Sequence, residues 1–275
     1  MRATLTFLGT GTSMGVPTLG CPCAVCVDAH QPDSLNRRTR PSIMLSYGAI
    51  SGQNPAKNVL IDTGQDFHAQ AVRENINTVD AVLYTHSHAD HLLGMDDLRP
   101  LSFKKTEGLP LYADDATATV IERIFDYTFR KVDRYPTSAR VTMNRTATEP
   151  GTIIPLFGID FIRVPVLHGK QTIAGYRVGN MAYLTDASEI PAESLPLLEG
   201  LDILILDALR REPHPTHMNL ATAIQTVEKI APKRAFFTHI SHGLDHNTTN
   251  AELPAHIQLA HDGLKLDFDI PPEAL

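Results

Sequence analysis

Residues 79–91 read VDAVLYTHSHADH, an apolar run that ends on three histidines and an aspartate within seven positions. The apolar half has the length and composition of a buried strand. In a chain leaving such a strand extended, side chains two apart face one way. His86 and His88 therefore turn to the same side, while Asp90 and His91 follow where the chain begins to bend. Imidazoles and a carboxylate converging on one spot are ligands for a divalent metal. A chain with only 13 histidines in 275 residues concentrates three of them here.

The same punctuation recurs downstream. VPVLHG ends a strand at His168, AYLTDAS ends one at Asp186, and AFFTHISH ends one at His239. Strand ends deliver side chains to a shared rim, which is where sheets build sites. Any one of these residues alone is as well explained by a hydrogen-bonded histidine or a turn aspartate. Seven together point to a metal centre.

Working outward, ATLTFLG, SIMLSYG, NVLIDTG, AVLYTH, DFIRVPVLHG, MAYLTDAS, DILILDAL and RAFFTHIS all read as strands bounded by turn formers. DDATATVIERIFDYTF and NLATAIQTVEKIA read as helices opened by capping residues. The fold class is therefore mixed α/β, with one domain over residues 1–275 and a helical insertion at about 103–150. GQNPAKN, residues 52–58, reads as a hairpin loop, and RYPTSARVTMNRTATEPG, residues 134–151, as a longer connection.

The formal charge is -7, with 24 Lys and Arg against 31 Asp and Glu and no basic block, so a long polyanion is a poor partner and nucleic acid is not expected. No apolar stretch approaches the roughly 18 residues a membrane span requires, and the opening segment is too short in apolar residues for a signal peptide; the expected compartment is the cytoplasm. All three cysteines lie in CPCAVC. An odd, tightly clustered set in a chain without an export signal argues for metal binding instead of disulfides.

With these motifs in place, the sequence resembles the metallo-β-lactamase superfamily over nearly its whole length. The resemblance implies an αββα sandwich, two mixed sheets flanked by helices, carrying a binuclear site. His86, His88 and His168 would hold one ion, Asp90, His91 and His239 the other, and Asp186 would bridge them. Zinc suits such ligands, and manganese or iron is compatible with them. Two divalent ions, two aspartates and a bridging hydroxide leave a charge of about +1 to face an anionic substrate, and the ions bring the pKa of their shared water toward about 7. Asp62 in LIDTG resembles the superfamily aspartate that buttresses the metal loop.

GTGTSMGVPTLGCPCAVC and the later HISH resemble the branch that contains phosphoribosyl cyclic phosphodiesterase and, more distantly, the tRNA 3'-processing endonucleases. That likeness implies a structural zinc held by Cys21, Cys23, Cys26 and His242, a closed site with no position left for water. It also implies that His217, just before the second helix, acts near the leaving group, with His214 as its neighbouring competitor. His217 and Asp90 are then the residues expected to carry the chemistry. The expected function is hydrolysis of a small cyclic or nucleotide-like phosphodiester. The alternatives are a tRNA 3'-processing endonuclease, a thioester hydrolase of the glyoxalase II type, and a metal-dependent binding protein without activity. The partner expected is the small substrate, and a homodimer stays open.

Lesser features have two readings each. GTGTS could offer backbone N–H groups to phosphate or be a tight turn; Arg37, Arg38 and Arg40 could meet a phosphate or lie in a solvated turn; Tyr127, Phe129, Arg130 and Tyr135 could roof the pocket or serve the core.

Overall fold

The computed structural model describes residues 1–48 and 56–271. Two seven-stranded sheets make up the body. The first contains β1 (Arg2–Gly9), β2 (Ser42–Tyr47), β3 (Lys57–Ile61), β4 (Ala81–Leu83), β5 (Leu109–Asp114) and β6 (Val141–Thr146) in that spatial order, with the last strand of the chain, Lys265–Asp269, on the outer side of β1. The second holds β7 (Ile153–Leu156), β8 (Ile159–His168), β9 (Gln171–Val178), β10 (Met181–Leu184), β11 (Ile203–Asp207), β12 (Arg234–Thr238) and β13 (Ile257–Leu259) side by side; Lys265–Asp269 is β14. Both sheets are mixed, with β3–β4 and β10–β11 parallel and β1–β2 and β8–β9 antiparallel.

Why these runs form central strands is visible in their two faces. Leu5, Phe7, Leu45, Val59, Ile61 and Leu83 of the first sheet meet Phe161, Tyr176, Tyr183, Ile203 and Ile205 of the second in one buried layer. Their sequence neighbours point the other way, as period 2 requires. Leu60 and Val82 pack under α2 (Phe67–Arg73, after α1 at Ala24–Asp28) and, farther along, under the short turns α3 (Ala89–Leu92) and α4 (Arg99–Ser102) and the helix α5 (Asp115–Ile124), which α6 (Asp126–Phe129) continues. Leu204, Leu206 and Phe237 pack under α7 (Leu220–Ile230), and α8 (His246–Glu252) precedes β13. Three apolar layers between four layers of structure make the αββα sandwich that was expected.

The eight strands read from the sequence all form, and so do both helices. Residues 103–150 differ from expectation. Besides α5 and α6 they supply β5 and β6, which extend the first sheet, so the stretch is not a helical insertion. β6 lies inside the segment expected to be a connection. It is an edge strand in which Val141 and Met143 pack inward while Thr142, Asn144 and Thr146 alternate with them, and this polar face hides the strand signal. The hairpin loop expected at 52–58 falls mostly outside the described residues, although β2 and β3 pair antiparallel on either side of it. No helix among the described residues is long and apolar enough to cross a membrane.

Candidate metal centre

β4 stops at Leu83, His86 and His88 follow before α3, and Asp90 and His91 lie within that short turn. A neighbouring loop, residues 62–64, braces this segment. Thr63 N donates to His91 O at 2.7 Å and Gly94 N to Thr63 O at 2.8 Å. The approach requires glycine twice: a Cβ on Gly64 would lie 2.1 Å from Asp90 O, and one on Gly94 2.1 Å from Gly64 O. Asp62, fully buried, accepts from Thr85 N and Thr85 Oγ1, both at 2.8 Å, and from His91 Nδ1 at 2.7 Å. A carboxylate can only accept, so Nδ1 of His91 carries the proton and Nε2 is left to face the site. His168 Nδ1 donates likewise to Thr216 O at 2.8 Å.

The strand ends then complete the arrangement. His168 ends β8, Asp186 follows β10, and His239 follows β12. Ligand atoms of His86, His88, His168 and Asp186 form one group, and those of Asp90, His91, Asp186 and His239 a second, each with all its atoms within 4.8 Å of one another. Asp186 belongs to both. Its Oδ2 lies 3.2 Å from His91 Nε2 and its Oδ1 3.2 Å from His239 Nε2, while Asp90 Oδ2 stands 3.4 and 3.5 Å from the same nitrogens. Yet Nε2 of His86, His91 and His239 is buried in each case without a hydrogen-bond partner among the described residues. Atoms bound to one ion at about 2.0–2.1 Å stand roughly 3.3 Å apart when the ion is tetrahedral. The spacing and the orphaned nitrogens fit a pair of cations.

Electrostatics agree. Burial acts against charge on Asp186 and Asp90, yet the surrounding imidazoles, His239 and His91 foremost, hold both carboxyls far below the usual range. Burial likewise opposes charge on His239, but the Asp186 carboxylate and its neighbours raise it to about 9. The pocket is thus built around negative charge that calls for cations. Asp62, Asp186 and His239 also have φ of 65°, 56° and 57°. Non-glycine residues in this left-handed region store strain, and here all three sit where strands hand side chains to the site.

His217 lies beside this centre, its ring stacked on His239 at 4.6 Å between centroids and edge-on to His168 at 4.7 Å. Its Nδ1 is 2.6 Å from Asp207 Oδ2. Asp207 ends β11 and is fully buried. It was missed in the sequence, although DILILDAL ends on an aspartate just as the other strands end on their candidate ligands. Burial, and then His239, push His217 down to about 4, while burial pushes Asp207 up; an imidazole and a carboxylate 2.6 Å apart favour each other's charged form. His214 stands 5.1 Å from His217, and its Nδ1 accepts from Thr216 N. A cavity of about 300 Å³ opens on this side, lined among others by Thr12, Ser13, Met14, His214 and His217.

Three cysteines of the N-terminal loop and His242 form a second cluster. Cys23 caps α1 and Cys26 is buried within it. His242 Nδ1 lies 3.2, 3.5 and 3.3 Å from the sulfurs of Cys21, Cys23 and Cys26. Thr18 N donates to Cys26 Sγ, and the N–H of Cys26 chiefly pulls the Cys23 thiol down to about 7. Three sulfurs and one nitrogen at these separations suit a closed tetrahedral ion.

The remaining candidates serve structure. Arg38 is buried and donates to Ser241 O, Asn36 Oδ1 and Leu244 O, fastening the loop that carries His242; Arg40 pairs with Asp66 at 3.1 Å, and Arg37 donates to Ala29 O. The glycines of GTGTS permit close packing, since a Cβ on Gly9 would lie 1.9 Å from Arg40 O. Tyr127 and Phe129 pack against the core below the first sheet, Arg130 pairs with Asp126, and Tyr135 is exposed.

The comparisons agree with this geometry. The sequence profile described as beta-lactamase superfamily domain matches residues 57–240. A crystal structure of a diphosphatase from the PhnP family superposes with a TM-score of 0.87 at 53% identity, covering 98% of both chains. An octanoyltransferase from Porphyromonas gingivalis is 34% identical over 264 residues, which is 95% of this chain and 51% of that protein. A ribonuclease Z from Methanococcus maripaludis is 26% identical over 237 residues, 84% of this chain and 64% of that one. The chain thus spans between half and two thirds of these curated relatives. With the profile match, the two facing sheets and the paired clusters of histidine and aspartate together, the chain belongs to the β-lactamase superfamily and has the metallo-β-lactamase fold.

Proposed function

We propose that the protein is a binuclear phosphodiesterase that hydrolyses a small cyclic or nucleotide-like phosphodiester. The observation that carries this reading is Asp186 standing in two ligand groups at once, with a histidine–aspartate pair beside them. His86, His88 and His168 would hold one ion and Asp90, His91 and His239 the other, with Asp186 available to both. Zinc or manganese bound there supplies Lewis acidity and a hydroxide nucleophile at neutral pH. The chain's own part is orientation and proton transfer. Asp62 and Thr216 O fix the faces that His91 and His168 present. Asp207 holds Nδ1 of His217 and offsets the charge of its imidazolium, leaving the other nitrogen to give a proton to the departing oxygen. An anionic phosphoryl group arriving beside the ring favours that charged form. Cys21, Cys23, Cys26 and His242 would hold a structural zinc.

A small substrate is favoured over a polynucleotide because the chain carries a formal charge of -7 with no basic block. A second reading, hydrolysis of a diphosphate, is favoured by the 53% identical PhnP-family diphosphatase. Turnover of the metal-loaded protein on cyclic phosphodiesters, nucleotide p-nitrophenyl esters, sugar diphosphates and thioesters tests both. Cleavage of a P–O ester is the expected result; turnover of thioesters alone overturns the reading.

A further inference from the structure

A second cavity, of about 570 Å³, opens at the other end of the centre. His86, His168 and His217 form a row with centroids 5.5 and 4.7 Å apart. The smaller cavity touches the row at His217 and the larger one at His86. The larger is lined by Asp115, Thr148, Arg163, Gln171 and Thr172 besides His86, at the start of α5 and the β8–β9 hairpin.

Arg163 is the unusual member. Its side chain is 1% exposed, and a single nitrogen, Nη2, has a partner, Asp114 Oδ2 at 3.1 Å. Nε and Nη1 are buried with no hydrogen-bond partner among the described residues. Asp114 Oδ1 is turned to cap α5, accepting from Thr117 N at 2.9 Å, and does not meet Nε or Nη1. Two unfilled guanidinium donors in the wall of a polar cavity are costly to a folded protein unless an acceptor reaches them. The cations there are already spoken for, Arg163 by Asp114 and Arg145 by both Asp115 at 2.7 Å and Glu122 at 2.6 Å. Nothing is left over to neutralise an added anion. Thr148, Thr172 and Gln171 meanwhile both donate and accept.

We infer that this cavity receives the part of the substrate that stays on phosphorus, an uncharged group bearing both hydrogen-bond donors and acceptors, and that Arg163 reads an acceptor on it. The inference rests on the phosphodiesterase reading, which puts the departing oxygen at His217 and so the retained group at the opposite end of the row. Arg163 acts on specificity and takes no part in bond breaking.

The test holds the leaving group constant. Thymidine 5'-(p-nitrophenyl phosphate) and methyl p-nitrophenyl phosphate release the same p-nitrophenolate and differ in the retained group alone. The metal-loaded wild type should show a thymidine-to-methyl ratio of kcat/KM of at least about tenfold, and Arg163→Lys should reduce that ratio about tenfold. Since Arg163 is buried and its exchange could disturb folding, Gln171→Ala on the exposed hairpin is the second variant, expected to reduce the ratio about threefold. A wild-type ratio near one, or a ratio unaltered in every variant that folds, overturns the inference. Absence of turnover on both esters would instead overturn the phosphodiesterase reading beneath it.

Discussion

His217 Nδ1 and Asp207 Oδ2 are 2.6 Å apart, with the aspartate fully buried at the end of β11 and the imidazole stacked on His239. The contact fixes which ring nitrogen is free, and that nitrogen belongs to the side of the ring away from the sheet's interior. If it protonates the leaving oxygen, the need for it scales with how poor the leaving group is. His217→Ala should lower kcat on an alkoxide-releasing ester by about 10² to 10⁴ with both ions retained, and much less on a p-nitrophenyl ester. Asp207→Asn should show the same discrimination at about 10 to 10², because it acts through His217. Equal losses on both esters in His217→Ala would assign it to phosphate positioning, and loss of an ion would make it a ligand.

Asp186 is the residue both ligand groups share. Asp186→Ala should abolish hydrolysis, with kcat down by roughly 10³ or more, while the six other ligands retain at least one ion and the fold survives. Metal analysis and circular dichroism on the purified variant give the answer. Two retained ions with an undiminished rate would refute the bridging role.

Most of this was legible in the sequence because the site is made at strand ends, and strands with two buried faces announce themselves as apolar runs. β4, β10, β11 and β12 are buried at almost every position, so His86, Asp186 and His239 could be read off as the first histidine or aspartate beyond β4, β10 and β12. Asp207 obeyed the same rule but stands alone, far in sequence from His217, and no spacing links them. β5, β6, β7, β9, β13 and β14 were not read. Several have the mixed faces of strands near a sheet edge, and β9 carries glycine at position 175, where a Cβ would lie 2.3 Å from Leu184 Cδ2. Arg38 looked like a surface cation because two of its three partners are backbone carbonyls some 200 residues away, which no local pattern can reveal.

Asp62 never touches the proposed ions, yet it fixes both Thr85 and His91. Asp62→Asn keeps the shape but replaces one carboxylate oxygen with an NH₂ that cannot accept from His91. The affinity for the ion held by Asp90, His91 and His239 should fall about 10- to 100-fold, read by competition with a chelating dye. An unchanged affinity would show that the packing of Gly64 against the metal loop is sufficient to orient His91.

Cys23 tests the separation of the two metal sites. Cys23→Ser should release one zinc and lower Tm, since a structural ion contributes its binding free energy to folding. The turnover of the molecules still folded should stay within about twofold of wild type on the same substrate, because the cluster leaves no position open for water or substrate. Zinc content unchanged by the substitution, or a kcat that collapses while Tm holds, would deny the cluster its structural role.

The last test concerns acid stability and lies outside both metal clusters. His246 opens α8, buried, with its Nδ1 unpartnered and its backbone N–H donating to Asn36 Oδ1 at 2.8 Å. Burial chiefly, and then the Arg38 guanidinium and His261, push it down to about 4. An unfolded imidazole titrates near 6.5, so between those values the unfolded chain binds a proton that the folded one refuses. The folded value is the depressed one, and the contribution to stability is therefore present above pH 6.5 and lost as pH falls toward 4. The ligand histidines and carboxylates also respond to acid, so the measurement is a comparison. Tm of the metal-loaded wild type and of His246→Gln is followed from pH 7 to pH 5, with metal content checked at each point. The wild type should lose several degrees more than the variant over that range. Parallel curves would mean that His246 takes up its proton in the folded state without cost, and that the acid response belongs to other groups.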